Sequence, residues 1–108
     1  MKILLSVKEI TLGYLTQIGD KYAFLADENN IEEAYKKYPL QMRFFELNQK
    51  GEGYYNRIPA PFNLNIEATQ RRDLVEKAQI KEDDSLFVKL YKLAKLETLN
   101  EMFTISQA

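Results

Sequence analysis

Histidine and cysteine are both absent from this chain of 108 residues, although these two side chains carry much of the acid–base, nucleophilic and metal-binding chemistry of proteins. The side chains that remain for chemistry are carboxylates, lysines, hydroxyls and seven tyrosines. Carboxylates and lysines alone can support catalysis, but no cleft-forming group of them is evident in the sequence. We therefore expect a non-catalytic protein that binds a partner and uses neither a metal nor another cofactor.

The densest group of carboxylates is Glu82-Asp83-Asp84. Carboxylates are the ligands of hard cations, but the spacing here matches no calcium-binding loop. Aspartates also suit the first turn of a helix, where they face the positive end of its dipole. We expect Asp83 or Asp84 to cap a helix. Elsewhere in the chain, Gly51-Glu52-Gly53 lacks the following glycine of a phosphate-binding loop and indicates a turn.

The aromatic residues are the better candidates for a binding site. Tyr54 and Tyr55 fall in a predicted loop, residues 48–57, close to Phe62 in a proline-rich stretch. Aromatic side chains on loops often anchor protein interfaces, although such residues can also fold back over the core as a lid. Both interpretations stay open. The candidate partner-binding residues are Tyr54, Tyr55, Phe62 and Leu64.

Composition sets the broad class of the protein. The hydrophobic fraction of 45% and the charged fraction of 29% are typical of folded proteins, and we predict a single domain over residues 1–108. Fifteen basic and 16 acidic residues give a formal net charge of -1, which argues against direct binding of nucleic acid. The apolar runs are too short for a membrane span or a signal peptide, so we expect a cytoplasmic protein.

The spacing of apolar residues predicts an α+β domain. Alternation is typical of strands over residues 3–7, 10–15, 22–26, 40–47 and 102–106. Helical spacing with capping residues predicts helices from Asn30 to Pro39, from Asn63 or Asn65 to Ile80, and from Asp83 or Asp84 through residues 86–94. We expect a mostly antiparallel sheet of about five strands with two to three helices, the two C-terminal helices covering one face.

The order of several short segments resembles a known family. The segments are residues 12–15, 21–24, 38–40, 58–64, 71–78, 82–90 and 102–106. Their order resembles the N-terminal subdomain of HipA-type serine/threonine kinase toxins over nearly the whole chain. A free-standing copy is similar to the HipS-like small partner of tripartite bacterial toxin systems. The resemblance implies an antitoxin-like regulator that docks on a shortened HipA-type kinase and restrains it.

The chain departs from this family at identifiable places. Residues 64–67 lack the proline found in the family, and residues 41–45 replace a strand rich in serine and proline. In the family an aromatic loop residue reaches toward the kinase active site. Since this chain has no tryptophan, the resemblance implies that role for Tyr54, Tyr55 or Phe62.

Two other functions belong to different classes. A small phage-type inhibitor of a nucleic-acid enzyme is the alternative, and a solvent-facing patch of Glu82, Asp83 and Asp84 would favour it because nucleic-acid mimics are acidic. A small enzyme that uses carboxylates and lysine is the least favoured of the three functions.

Overall fold

The computed structural model describes residues 1–96 and 102–108, and it contains a five-stranded antiparallel sheet against which helices pack. The strands are β1 (Ile3–Val7), β2 (Ile10–Ile18), β3 (Lys21–Ala26), β4 (Glu52–Tyr55) and β5 (Thr104–Gln107). The α-helices are α1 (Glu28–Lys37), α2 (Pro39–Met42), α3 (Arg72–Ala78) and α4 (Leu86–Ala94), and 3-10 helices span Phe62–Asn65 and Glu67–Gln70. The predicted α+β class with a five-stranded antiparallel sheet is confirmed.

The sheet has the strand order β4-β3-β2-β1-β5, and its two faces differ in burial. Alternate residues of each strand project to the same face, and Leu5, Leu15 and Phe24, which share one face, have no accessible surface. Phe62 and Phe87 pack over this face, with ring centroids 6.1 Å from Phe24 and 6.0 Å from Tyr22 respectively. Helix α4 also contacts β1 and β5, and α3 packs against α4. The core therefore lies between one sheet face and the later helices.

The strand predicted over residues 40–47 is wrong. Helix α2 begins at Pro39, which is favourable at the first helical position because the missing N–H has no partner there. Met42 and Phe45 are both buried at a spacing of three residues, which a turn of helix satisfies and a strand does not. The fourth strand is instead β4, inside the segment 48–57 that was predicted to be a loop.

The helix predicted from Asn63 or Asn65 to Ile80 is divided in the structure. The two 3-10 helices come first, and Arg71 then adopts an extended backbone, with φ of −73° and ψ of 123°, before α3. The hydroxyl of Thr69 donates to the carbonyl of Ile66 at 2.6 Å, a local bond that competes with continued α-helix.

The predicted helix caps are displaced by a few residues. Asp27, and not Asn30, caps α1. The side-chain amide of Asn30 instead donates to the Thr11 carbonyl at 2.9 Å, which joins α1 to β2. Ser85 caps α4 in place of Asp83 or Asp84. These caps are equivalent in chemistry to the predicted ones, because serine and aspartate both accept from a free N–H of the first turn.

Gly13 is the position where the sheet requires glycine. Its φ is +150°, and a Cβ atom there would lie 2.2 Å from the Leu25 carbonyl oxygen and 2.7 Å from Cζ of Phe24. Neither neighbour has room to move, since the first is backbone and the second is a ring in the core.

We predict that Gly13→Ala lowers the free energy of unfolding by about 2–4 kcal/mol, as overpacking and an unfavourable φ combine. The matched control is Gly19→Ala, where φ is +63° but no atom lies within 4 Å of the added Cβ. There the loss should be about 1 kcal/mol, from backbone strain alone. Urea unfolding of both variants tests the difference, and equal losses would show that the space around Gly13 is not limiting.

Candidate functional site

Tyr54 is the exposed tyrosine of the predicted pair. It lies on β4, at one edge of the sheet, and 59% of its surface is accessible. Since neighbouring strand residues project to opposite faces, Tyr54 points away from the face that carries Tyr55 and Phe24. A hydrogen bond with the Glu52 side chain raises the pKa of the Tyr54 hydroxyl. Tyr54 is available to a partner.

Tyr55 is held within the structure by Asn48. The Tyr55 hydroxyl donates to Oδ1 of Asn48 and accepts from its backbone N–H, both at 2.9 Å. The Asn48 amide nitrogen donates to the carbonyls of Phe24 at 3.1 Å and Gly51 at 3.2 Å. A Cβ on Gly53 would lie only 2.1 Å from Asn48 Oδ1, so the glycine makes room for this side chain. Tyr55 therefore closes the turn into β4.

We predict that Asn48→Ala lowers the free energy of unfolding by about 1–3 kcal/mol, because several partly buried polar groups lose their partners. Gln49→Ala is the control, since its side-chain amide donates to the Tyr35 hydroxyl in an exposed bond, and the loss of stability should stay within about 0.5 kcal/mol. Tyr55→Phe should fall between these two. Thermal and urea unfolding measure all three, and an Asn48→Ala variant as stable as the control would rule out this bracing role.

Phe62 and Leu64 lie on opposite sides of the same 3-10 helix. With three residues per turn, positions two apart cannot share a face. Phe62 has no accessible surface and packs against Phe24, whereas Leu64 is 65% exposed. Because Phe62 is part of the core, it offers no surface to a partner in this structure. Leu64 is the exposed member of this part of the predicted site.

Leu64 forms one wall of an apolar groove with a volume of about 350 Å³. Phe44, which is 53% exposed, forms another part of the wall, and the buried Phe103 also lines the groove. The described residues that line this apolar groove are Phe44, Glu46, Ala60, Pro61, Leu64, Met102 and Phe103. The sequence argument missed Phe44 because it placed this residue inside a predicted strand, and a pair of adjacent phenylalanines gave no sign of which one faces outward.

A larger and more polar concavity, of about 500 Å³, lies on the opposite, half-exposed face of the sheet. Its apolar part includes Leu4, Tyr14 and Leu25, which are neighbours across three strands. The remainder is polar and includes the first residues of α1. The ammonium of Lys2 lies 4.5 Å from the centroid of the Tyr14 ring. This concavity brings together none of the predicted site residues.

The most perturbed carboxylate is Glu9, at the turn between β1 and β2. Two hydrogen bonds lower the pKa of Glu9 to about 2. The stronger influence is the bond from Lys37 at 2.5 Å, and the next is the bond from the Tyr38 hydroxyl at 2.6 Å. The same contact with Glu9 raises the pKa of Lys37. The contacts of Glu9 with Lys37 and Tyr38 join this turn to the end of α1. These contacts are exposed, and none of the cavities described here lies beside them.

We predict that Glu9 makes the protein more sensitive to acid. Its folded pKa of about 2 lies below the ordinary value of 4.5, so its contribution to stability is complete above about pH 4.5 and is lost as the pH falls toward 2. The difference in melting temperature between the wild type and Glu9→Gln should therefore shrink between about pH 6 and pH 2.5. Glu32→Gln, which breaks an exposed pair with Lys36 at 3.5 Å, is the control and should show a smaller difference at both values. A Glu9 effect that does not change with pH would contradict this assignment.

Asp84 also has a structural partner. Its carboxylate accepts from the ammonium of Lys92 at 2.6 Å and from the backbone N–H of Lys81 at 2.8 Å, and Lys92 and then Lys81 lower the pKa of Asp84. Glu82 and Asp83 are exposed. In the described part of the chain, no group of three or more acidic residues is placed to hold a metal ion.

Comparison with known proteins identifies no matching family model, no similar curated protein and no similar solved structure. Within residues 1–96 and 102–108, no helix has the length and apolar character needed to cross a membrane.

Proposed function

We propose that the protein is a non-catalytic, HipS-like regulator that docks on a HipA-type serine/threonine kinase and restrains it. The observation that carries the binding role is the apolar groove, which is lined by the exposed Phe44 and Leu64 and by the buried Phe103. The choice of kinase as partner comes from the order of segments along the sequence. The α+β architecture is compatible with that choice.

The apolar groove has the features of a protein contact. Covering an exposed leucine or phenylalanine side chain contributes about 1.5–3 kcal/mol, so these two walls can supply a large share of a modest affinity. They are fixed by structured neighbours, because Leu64 follows the buried Phe62 and Phe44 precedes the buried Phe45. A preorganised surface loses little conformational entropy when a partner binds.

Tyr54 offers a second contact in this proposal, on a different part of the surface. It is exposed on β4 and does not line the apolar groove. The resemblance implies that an aromatic residue of the small partner reaches toward the kinase active site, and Tyr54 is the exposed candidate of the three. Phe62 and Tyr55 support the fold in this proposal.

The alternative of a nucleic-acid-enzyme inhibitor is not favoured by the acidic cluster. That function would require Glu82, Asp83 and Asp84 to present their charges together. Because Asp84 is paired with Lys92, the solvent-facing part consists of Glu82 and Asp83.

We predict that Leu64→Ser and Phe44→Ser each weaken binding to a HipA-type kinase by about 10- to 100-fold, since each removes an exposed apolar anchor. The control is Leu40→Ser, because Leu40 is 70% exposed yet does not line the apolar groove. Binding should be measured by tagged pull-down from the native host, followed by calorimetry with the purified kinase. Tyr54→Ala in the same series measures the second contact.

Two outcomes of the binding measurements would contradict parts of the proposal. Recovery of a nuclease in place of a kinase would support the alternative function. Recovery of a kinase whose affinity is unchanged by Leu64→Ser and Phe44→Ser would keep the partner and remove the apolar groove as its docking surface. Circular dichroism of each variant confirms that the fold is intact.

A further inference from the structure

We propose that the segment seated in the apolar groove carries one bulky apolar anchor beside a lysine or arginine, which pairs with Glu46. This inference rests on the proposed docking function and specifies the chemistry of the partner. It depends on the position of a single carboxylate within an otherwise apolar surface.

Glu46 alone carries a charge among the described residues that line the apolar groove. It is exposed, and it forms no hydrogen bond or ion pair with the described part of the chain. The other described lining residues, including Phe44 and Leu64, have uncharged and largely apolar side chains. The described lining therefore presents one negative charge beside an apolar surface.

The carboxylate restricts which partners can cover the apolar groove. A segment of purely apolar atoms would remove water from Glu46 without replacing its hydrogen bonds, which opposes binding. An acidic segment would add repulsion between like charges. A cation close to the apolar anchor replaces the lost water and restores the hydrogen bonds, so charge complementarity selects it.

A protein segment fits this site better than a small molecule. Small-molecule sites combine an apolar lining with several convergent polar groups that fix orientation, and their volumes are about 300–1,000 Å³. The apolar groove is at the small end of that range, and among its described lining residues Glu46 supplies the one charged group. An anchor side chain with a neighbouring cation needs only these two features.

The experiment is a phage-display selection of random dodecapeptides on the immobilised wild-type chain. The Leu64→Ser variant serves for counter-selection, and the Leu40→Ser variant serves as the control. Peptides retained by the wild type and by Leu40→Ser, but not by Leu64→Ser, occupy the apolar groove. We expect these peptides to share a bulky apolar residue close to a lysine or arginine. The matching synthetic peptide should bind Glu46→Gln about fivefold more weakly.

A charge reversal completes the test. The same selection on Glu46→Lys should yield peptides with an aspartate or glutamate beside the apolar anchor. Groove-binding peptides with no preference for a basic residue would overturn the charge selection while leaving the proposed docking function intact. The inference would also be overturned if no selected peptide depended on Leu64, or if Glu46→Lys left the charge preference unchanged. Pull-down of the kinase would then test the docking function separately.

Discussion

The ring of Phe24 is the constraint on which the other parts of the structure depend. It lies on β3, beside the central strand β2, on the buried side of the sheet, and the space beside it exists because Gly13 has no side chain. Phe45 and Phe62 each place a ring centroid 6.1 Å from that of Phe24. The Phe24 backbone carbonyl accepts from Asn48, so the same residue also helps to fix the approach to β4. Burial of one ring thus organises the sheet, the segment after α2 and the first 3-10 helix.

The apolar groove is a geometric consequence of this core. When Phe45 turns inward onto Phe24, its neighbour Phe44 is left exposed, and when Phe62 turns inward, Leu64 faces out. The two exposed walls therefore belong to segments whose positions are set by buried aromatic contacts. The shape of the groove therefore depends on an intact core, and substitutions in the core would alter the groove without lying on its surface.

The strong regularities of the sequence predicted much of the fold. The alternation in β1 to β3 and the helical spacing of α4 have many apolar positions each, so they leave little ambiguity. Strand β4 has four residues, too few for a pattern, and its place depends on Asn48 and on pairing with β3. The segment after Pro39 has closely spaced apolar residues that suit either a strand or a helical turn.

The candidate site was harder to predict than the fold, for a physical reason. Tyr54, Tyr55, Phe62 and Leu64 were grouped by residue type and proximity in the chain, but exposure decides which of them can touch a partner. That exposure is set by distant residues, such as Asn48 for Tyr55 and Phe24 for Phe62. Phe44 was missed because its exposure depends on α2, which the pattern did not reveal.

The position of β5 has a consequence for the synthesis of the chain. β5 pairs with β1 along the edge that β2 does not occupy, and the N–H of Ala108 donates to the carbonyl of Lys2 at 3.1 Å. During translation the first strand is therefore made long before the strand that completes its hydrogen bonding. Until residues 104–107 leave the ribosome, the outer edge of β1 is an open template for other strands. The sheet reaches its full five-stranded pairing only after residues 104–107 have been made.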